Sequence, residues 1–132
     1  MDDFTLVGHA DNVPLALSLA DLVIVPSTKP EAFGRSAAEA SAMGVPVIAF
    51  DHGGAVETIA CETEFKKTEA TGLRVALKDV SALADAIEKI TTMTPQARLQ
   101  MGKNGRSRIK SHFSKQQMIS KTIGVYERVL GL

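Results

Sequence analysis

The chain has 132 residues, 45% of them hydrophobic, and a formal net charge of zero. That length supports one domain with its own core, and no apolar run approaches the roughly 20 residues that would span a membrane. The single cysteine, Cys61, excludes an internal disulfide and a cysteine-based metal cluster; with the acidic start Asp2-Asp3 in place of a basic leader, it points to a reducing cytoplasm.

Residues 4–7 are a β-prone run ending in Gly8 and read as a strand. His9 follows in a loop, either as a solvated histidine or as a ligand or base. Residues 12–20 read as a short helix, with Asp11 or Asn12 as N-cap and Pro14 in the first turn. Residues 22–25 (LVIV) form an apolar run closed by Pro26, which suits a strand buried on both faces of a parallel sheet. A polar loop leads to residues 35–43, which hold four alanines and no β-branched residue and so favour helix. Gly44 sits where a helix end needs positive φ, and Pro46 lies just beyond. Residues 47–50 form a second buried strand. Strand, helix and strand in this order imply a right-handed crossover.

The chemistry of this unit lies in two carboxylates and a helix start. Glu31 stands in the loop beyond the carboxyl end of a strand, the edge of an open parallel sheet where ligands bind. The unpaired amides around Gly34, Arg35 and Ser36 make a site for an anion such as phosphate. Glu39, about a turn further on, is placed to accept hydrogen bonds from hydroxyls. Anion donors between two hydroxyl-accepting acids are the layout a sugar diphosphate requires. Arg35 is read equally as a phosphate partner or as the partner of a nearby acid.

Further along, Asp51-His52-Gly53-Gly54 reads as a tight turn and Glu57 as a helix N-terminal acid. Residues 61–71 are polar and charged and read as a surface insertion. Residues 72–76 form a fourth strand. Ser81 is the expected cap of a helix to Thr92, Thr94-Pro95 starts another towards His112, and Ser114 caps the last. Gly102 and Gly105 are expected to weaken the middle helix by roughly 1 kcal/mol each. Charge is divided unevenly: residues 1–64 carry ten acids and two bases, residues 65–132 five acids and thirteen bases. Residues 95–121 hold seven bases and no acid, which reads as a solvated face or a dock for another domain or an anionic membrane surface. Few aromatics and no recognition motif argue against nucleic acid.

Four motifs stand in register: Glu31-Ala32-Phe33-Gly34, Glu39 seven residues inside, Gly44-Val45-Pro46-Val47, and Gly53-Gly54 with Glu57. Together they resemble the retaining glycosyltransferases of the GT-B fold, glycosyl transferases group 1 (family 4-type). The resemblance runs from about residue 4 to 59 and more loosely to the end; the link at 61–71 and Leu77-Lys78-Asp79 depart from the family pattern. It implies an α/β, Rossmann-like parallel sheet of about four strands with flanking helices. That is the C-terminal, donor-binding part of a GT-B fold, as one domain over 1–132: an α/β core over 1–80 and a helical segment over 81–132.

The implied function is transfer of a sugar from a nucleotide-diphosphate donor with retention. Glu31 is the implied catalytic residue and holds the donor sugar, with Ala32, Phe33, Gly34, Arg35 and Ser36 around sugar and diphosphate. Glu39 holds the ribose, and Ala10 touches the base through its backbone. No metal or cofactor is expected beyond the nucleotide sugar itself. The acceptor domain is expected to be missing or supplied by a complementing chain, so that this chain is a fragment, inactive alone, cytoplasmic or peripheral to the inner face of the membrane. The alternative is a stand-alone α/β module that binds a nucleotide or a partner protein without catalysis. A dinucleotide-dependent oxidoreductase would need G-x-G-x-x-G after the first strand, and Gly8-His9-Ala10-Asp11 does not supply it.

Overall fold

The computed structural model describes residues 3–131. Three parallel strands, β1 (Val23–Val25), β2 (Val47–Phe50) and β3 (Gly72–Val75), lie in the order β1-β2-β3. Val47 pairs with Val23 on one side and Gly72 on the other. Six α-helices and a 3-10 turn at Lys67–Glu69 complete the described chain: α1 (Val13–Ser18), α2 (Arg35–Ala42), α3 (Ala55–Thr58), α4 (Val80–Thr91), α5 (Pro95–His112) and α6 (Lys115–Leu130). No helix among the described residues is long and apolar enough to cross a membrane.

β2 is the centre of the fold, and all four of its residues are buried. Its period-2 alternation feeds both faces. Val47 and Ala49 pack with Ala37 and Ala40 of α2 and with Ile59, while Ile48 and Phe50 pack with Ala86 and Ile90 of α4 and Met101 of α5. The small alanine face of α2 lets that helix lie close to the sheet.

Among the described residues the sheet has three strands, not four. None of these residues pairs with residues 4–7, and Phe4, Leu6 and Val7 are 82%, 101% and 83% exposed. Local β propensity makes a strand only where a neighbour accepts its backbone hydrogen bonds. The cap of α4 is Asp79, whose Oδ1 accepts from the Ala82 amide at 2.9 Å, rather than Ser81.

Residues 61–71 are more than a solvated insertion. Cys61, Ala70 and Thr71 are buried. The Asn104 side chain of α5 donates to the carbonyls of Thr68 at 2.8 Å and Ala70 at 3.1 Å. Burial pushes the Cys61 thiol up, so it stays neutral and shielded. We expect Cys61 to resist a thiol reagent at pH 8 in the native protein and to react fully in denaturant. Rapid native labelling would contradict that burial.

Gly102 and Gly105 also prove to be contacts. A Cβ on Gly102 would overlap the carbonyl oxygen of Gly44, and one on Gly105 would stand 3.4 Å from the Ser41 Cβ. They let α5 lie directly on the end of α2. The last helix, α6, is capped by Ser114 as expected, but it buries no residue. Met118, Ile123, Tyr126, Val129 and Leu130 all face solvent.

Candidate functional site

The two glutamates flank the start of α2 at the carboxyl edge of the sheet. Gly34 is the N-cap, in left-handed geometry (φ 75°, ψ 59°), and no side chain caps the first turn. A residue with a Cβ is strained there. The first turn also carries no acid, so its open amides keep their partial positive charge for an outside partner.

Glu31 is half-buried beside this helix start. Its Oε1 accepts from the Ser27 hydroxyl. The Ser27 carbonyl in turn accepts from His52 Nε2 at 2.7 Å, which fixes the ring with its proton on that nitrogen. Thus the loop after β1 and the loop after β2 are joined at Ser27, Glu31 and His52.

Gly53 and Gly54 make a second joint. The Gly54 amide donates to the Glu31 carbonyl at 2.8 Å. A Cβ on Gly53 would stand 2.7 Å from that same oxygen, and one on Gly54 would overlap the Phe33 carbonyl group. The glycine pair is therefore the surface on which the Glu31–Phe33 loop rests, beyond its part in a turn. Behind it, the nearly buried Arg74 places Nε 3.2 Å from Asp51 Oδ1, donates Nη1 to the Val56 carbonyl at 2.6 Å and pairs with Glu64.

The helix start separates two hollows. Glu31, Ser27, Lys29, Gly34 and His52 line a recess of about 20 Å³, space for roughly one water. Glu39 and Arg35 line a larger hollow of about 330 Å³ with Val13, Pro14 and Leu17 of α1. Arg35 Nη2 lies 3.1 Å from Glu39 Oε1. Of its two readings, the structure shows the acid partner; such an exposed pair is worth little and is readily exchanged. Ala32 and Ser36 are exposed at the helix start. Phe33 packs its ring on Phe113, 5.6 Å between centroids. Ala10 is half-buried in the irregular segment before α1 and lines neither hollow. His9 lies exposed, 3.5 Å from Asp11.

The sequence reading missed Lys29, Ser27 and Phe113. Lys29 and Ser27 lie inside the motif's own loop, so proximity to Glu31 was the available signal. Phe113 lies far along the chain and had none.

Comparison with known proteins bears on this arrangement. Residues 2–108 match the family described as glycosyl transferases group 1. A lipopolysaccharide core biosynthesis mannosyltransferase of Rhizobium meliloti is 31% identical over 98% of this chain and 35% of its own length. A glycogen synthase of Mycobacterium tuberculosis is 33% identical over 91% of this chain and 27% of its own. Among solved structures, a glycosyltransferase from Rickettsia africae matches with a TM-score of 0.76 at 31% identity, over 87% of this chain and 29% of that one. Anabaena HepE in complex with UDP also matches at 0.76, with 25% identity over 96% of this chain and 32% of that one. The chain spans about a third of the length of the curated relatives it matches. With four sequence motifs, a parallel α/β core and a family match over most of its length, the chain belongs to the glycosyl transferases group 1 family, of GT-B fold.

Proposed function

We propose that this chain carries the donor-binding half-site of a glycosyltransferase that moves a sugar from a nucleotide-diphosphate donor to an acceptor with retained anomeric configuration. The observation that carries the reading is the uncapped start of α2, set between Glu31 and Glu39 at the carboxyl edge of the sheet. In this reading Glu31 holds hydroxyls of the donor sugar and the amides from Gly34 to Ser36 hold the diphosphate. Glu39 holds the ribose hydroxyls after releasing Arg35, and the Ala10 backbone meets the base.

Glycosyl transfer leaves a nucleoside diphosphate, so negative charge grows on the leaving oxygen. Fixed donors aimed at that charge are commonly the largest source of rate. Here they are the α2 amides, joined by Arg35 and by Lys29, which lines the Glu31 recess. Glu31 acts by orientation and charge rather than as a covalent nucleophile: the acceptor attacks the face from which the diphosphate departs, and the departing phosphate takes its proton. No metal enters this reading. A glycosyl adduct trapped on Glu31 would contradict it.

The recess at Glu31 is too small for a hexose, so the sugar rests over its mouth. Excluding water there calls for further surface, in keeping with the much greater length of the relatives. We therefore expect no turnover by the chain alone. The same need for further surface leaves the basic stretch 95–121 as the face for an anionic membrane or a second domain.

Calorimetry with UDP and several nucleotide sugars tests the assignment. Glu39→Ala is expected to weaken both UDP and nucleotide sugars by about 10-fold or more, the scale of a lost charge-assisted hydrogen bond. Glu31→Gln is expected to weaken the nucleotide sugar and leave UDP unchanged. Equal effects of Glu31→Gln on both ligands would move Glu31 off the sugar. If no nucleotide binds the folded wild-type chain, the protein-interaction module is the better reading.

A further inference from the structure

Phe33 immediately precedes the N-cap of α2, and its surroundings are unusual for a loop residue. Its backbone lies against Gly54, where any Cβ would overlap it. Its ring lies against the Phe113 ring, 5.6 Å between centroids and tilted by 58°. Offset or tilted rings at this distance attract one another. Phe113 is the half-buried junction between α5 and α6.

Phe113 is itself held. Its amide donates to the Ile109 carbonyl at 2.9 Å. The Arg108 guanidinium lies 5.9 Å from its ring and 5.2 Å from the Phe65 ring, within the range of cation–π attraction. Arg108 Nη2 also donates to the Glu57 carbonyl at 2.7 Å. A continuous set of contacts therefore runs from the end of α3 through Arg108 and Phe113 to Phe33. It braces a loop of the site that lies outside the helices and strands.

We propose that Phe113 is a positioning residue for the donor site: its ring fixes Phe33 and thereby the orientation of the amides at Gly34, Arg35 and Ser36. The ring touches no proposed ligand position and acts only through Phe33. The consequence for binding rests on the donor-site reading above; the consequence for the amides does not.

The test is nuclear magnetic resonance on the full 132-residue chain, without ligand, followed by titration with UDP. In Phe113→Ala the amide resonances of Gly34, Arg35 and Ser36 are expected to shift, while those of Ile90 and Val75 in the core stay in place. UDP affinity is expected to fall about fivefold, the loss that one aromatic pair accounts for. Phe113→Tyr, which keeps the ring, is expected to restore both. Unmoved Gly34 and Ser36 amides in a folded Phe113→Ala protein would overturn the proposal. If that variant does not fold, Phe113→Leu, which keeps bulk without the ring, is held to the same amide criterion. Absence of UDP binding by the wild type would sink the donor reading, and the ligand-free amide shifts would still decide the role of Phe113.

Discussion

Replacing Gly102 with alanine is expected to lower stability by about 2 kcal/mol, against the sign that helix propensity gives. In an exposed helix interior, glycine to alanine stabilises by up to about 1 kcal/mol. At Gly102 the new methyl would overlap the Gly44 carbonyl oxygen, and neither partner can turn away because both are backbone. The overlap is relieved only by moving α5 off the end of α2, which opens the packing around Gly105 and the buried Met101. Overpacking of this kind costs about 1–3 kcal/mol or more, enough to outweigh the propensity gain. Gly124 in α6 is the control, since nothing lies within 4 Å of its Cβ position. There alanine should be neutral or stabilising. Urea unfolding of the two variants reads the difference as opposite shifts of midpoint at constant slope. A stabilised Gly102→Ala protein would show that α5 and α2 are not in the contact described.

The second large effect is expected at Gly54, and it separates the site from the fold. Gly54 has φ −63°, a backbone that any residue adopts, so alanine introduces no conformational strain. What it introduces is a methyl inside the Phe33 carbonyl group. The Glu31–Phe33 loop must lift away, and the Gly54 amide loses the Glu31 carbonyl. We expect nucleotide affinity to fall at least 10-fold, since three proposed ligand groups move together. Global stability should fall by only about 1–3 kcal/mol, because the loop is peripheral to the buried β2. Affinity and melting temperature measured on the same sample decide between a displaced site and a general loss of fold. Unchanged nucleotide affinity in Gly54→Ala would remove the glycine pair from the site.

Both predictions concern glycines that the sequence presents ambiguously. A glycine in a helix reads as a weak point, and two in succession after a strand read as a turn. Neither reading contains the second backbone that approaches them. Gly44 is different: its positive φ at the end of α2 was legible because its cause is local.

The same division runs through the rest of the chain. The amino-acid sequence by itself determined β2 to the residue, the start of α2 and the caps at Thr94 and Ser114, because these follow from short-range rules of propensity, capping and spacing. It left Asp11 and Asn12 open as the first cap, where the structure has Asn12, and its motifs carried the resemblance to the family. It read residues 4–7 as a strand and residues 61–71 as a surface insertion for the same reason, since it could weigh only composition. Tertiary structure alone decided that residues 4–7 stay unpaired and that Asn104 fastens the insertion. It also decided that Ser27 holds Glu31, that His52 holds Ser27 and that Phe113 reaches Phe33. Each depends on groups distant in the chain meeting within hydrogen-bond or van der Waals range, and pairing of that kind is set by how the sheet and helices pack, which no local pattern encodes.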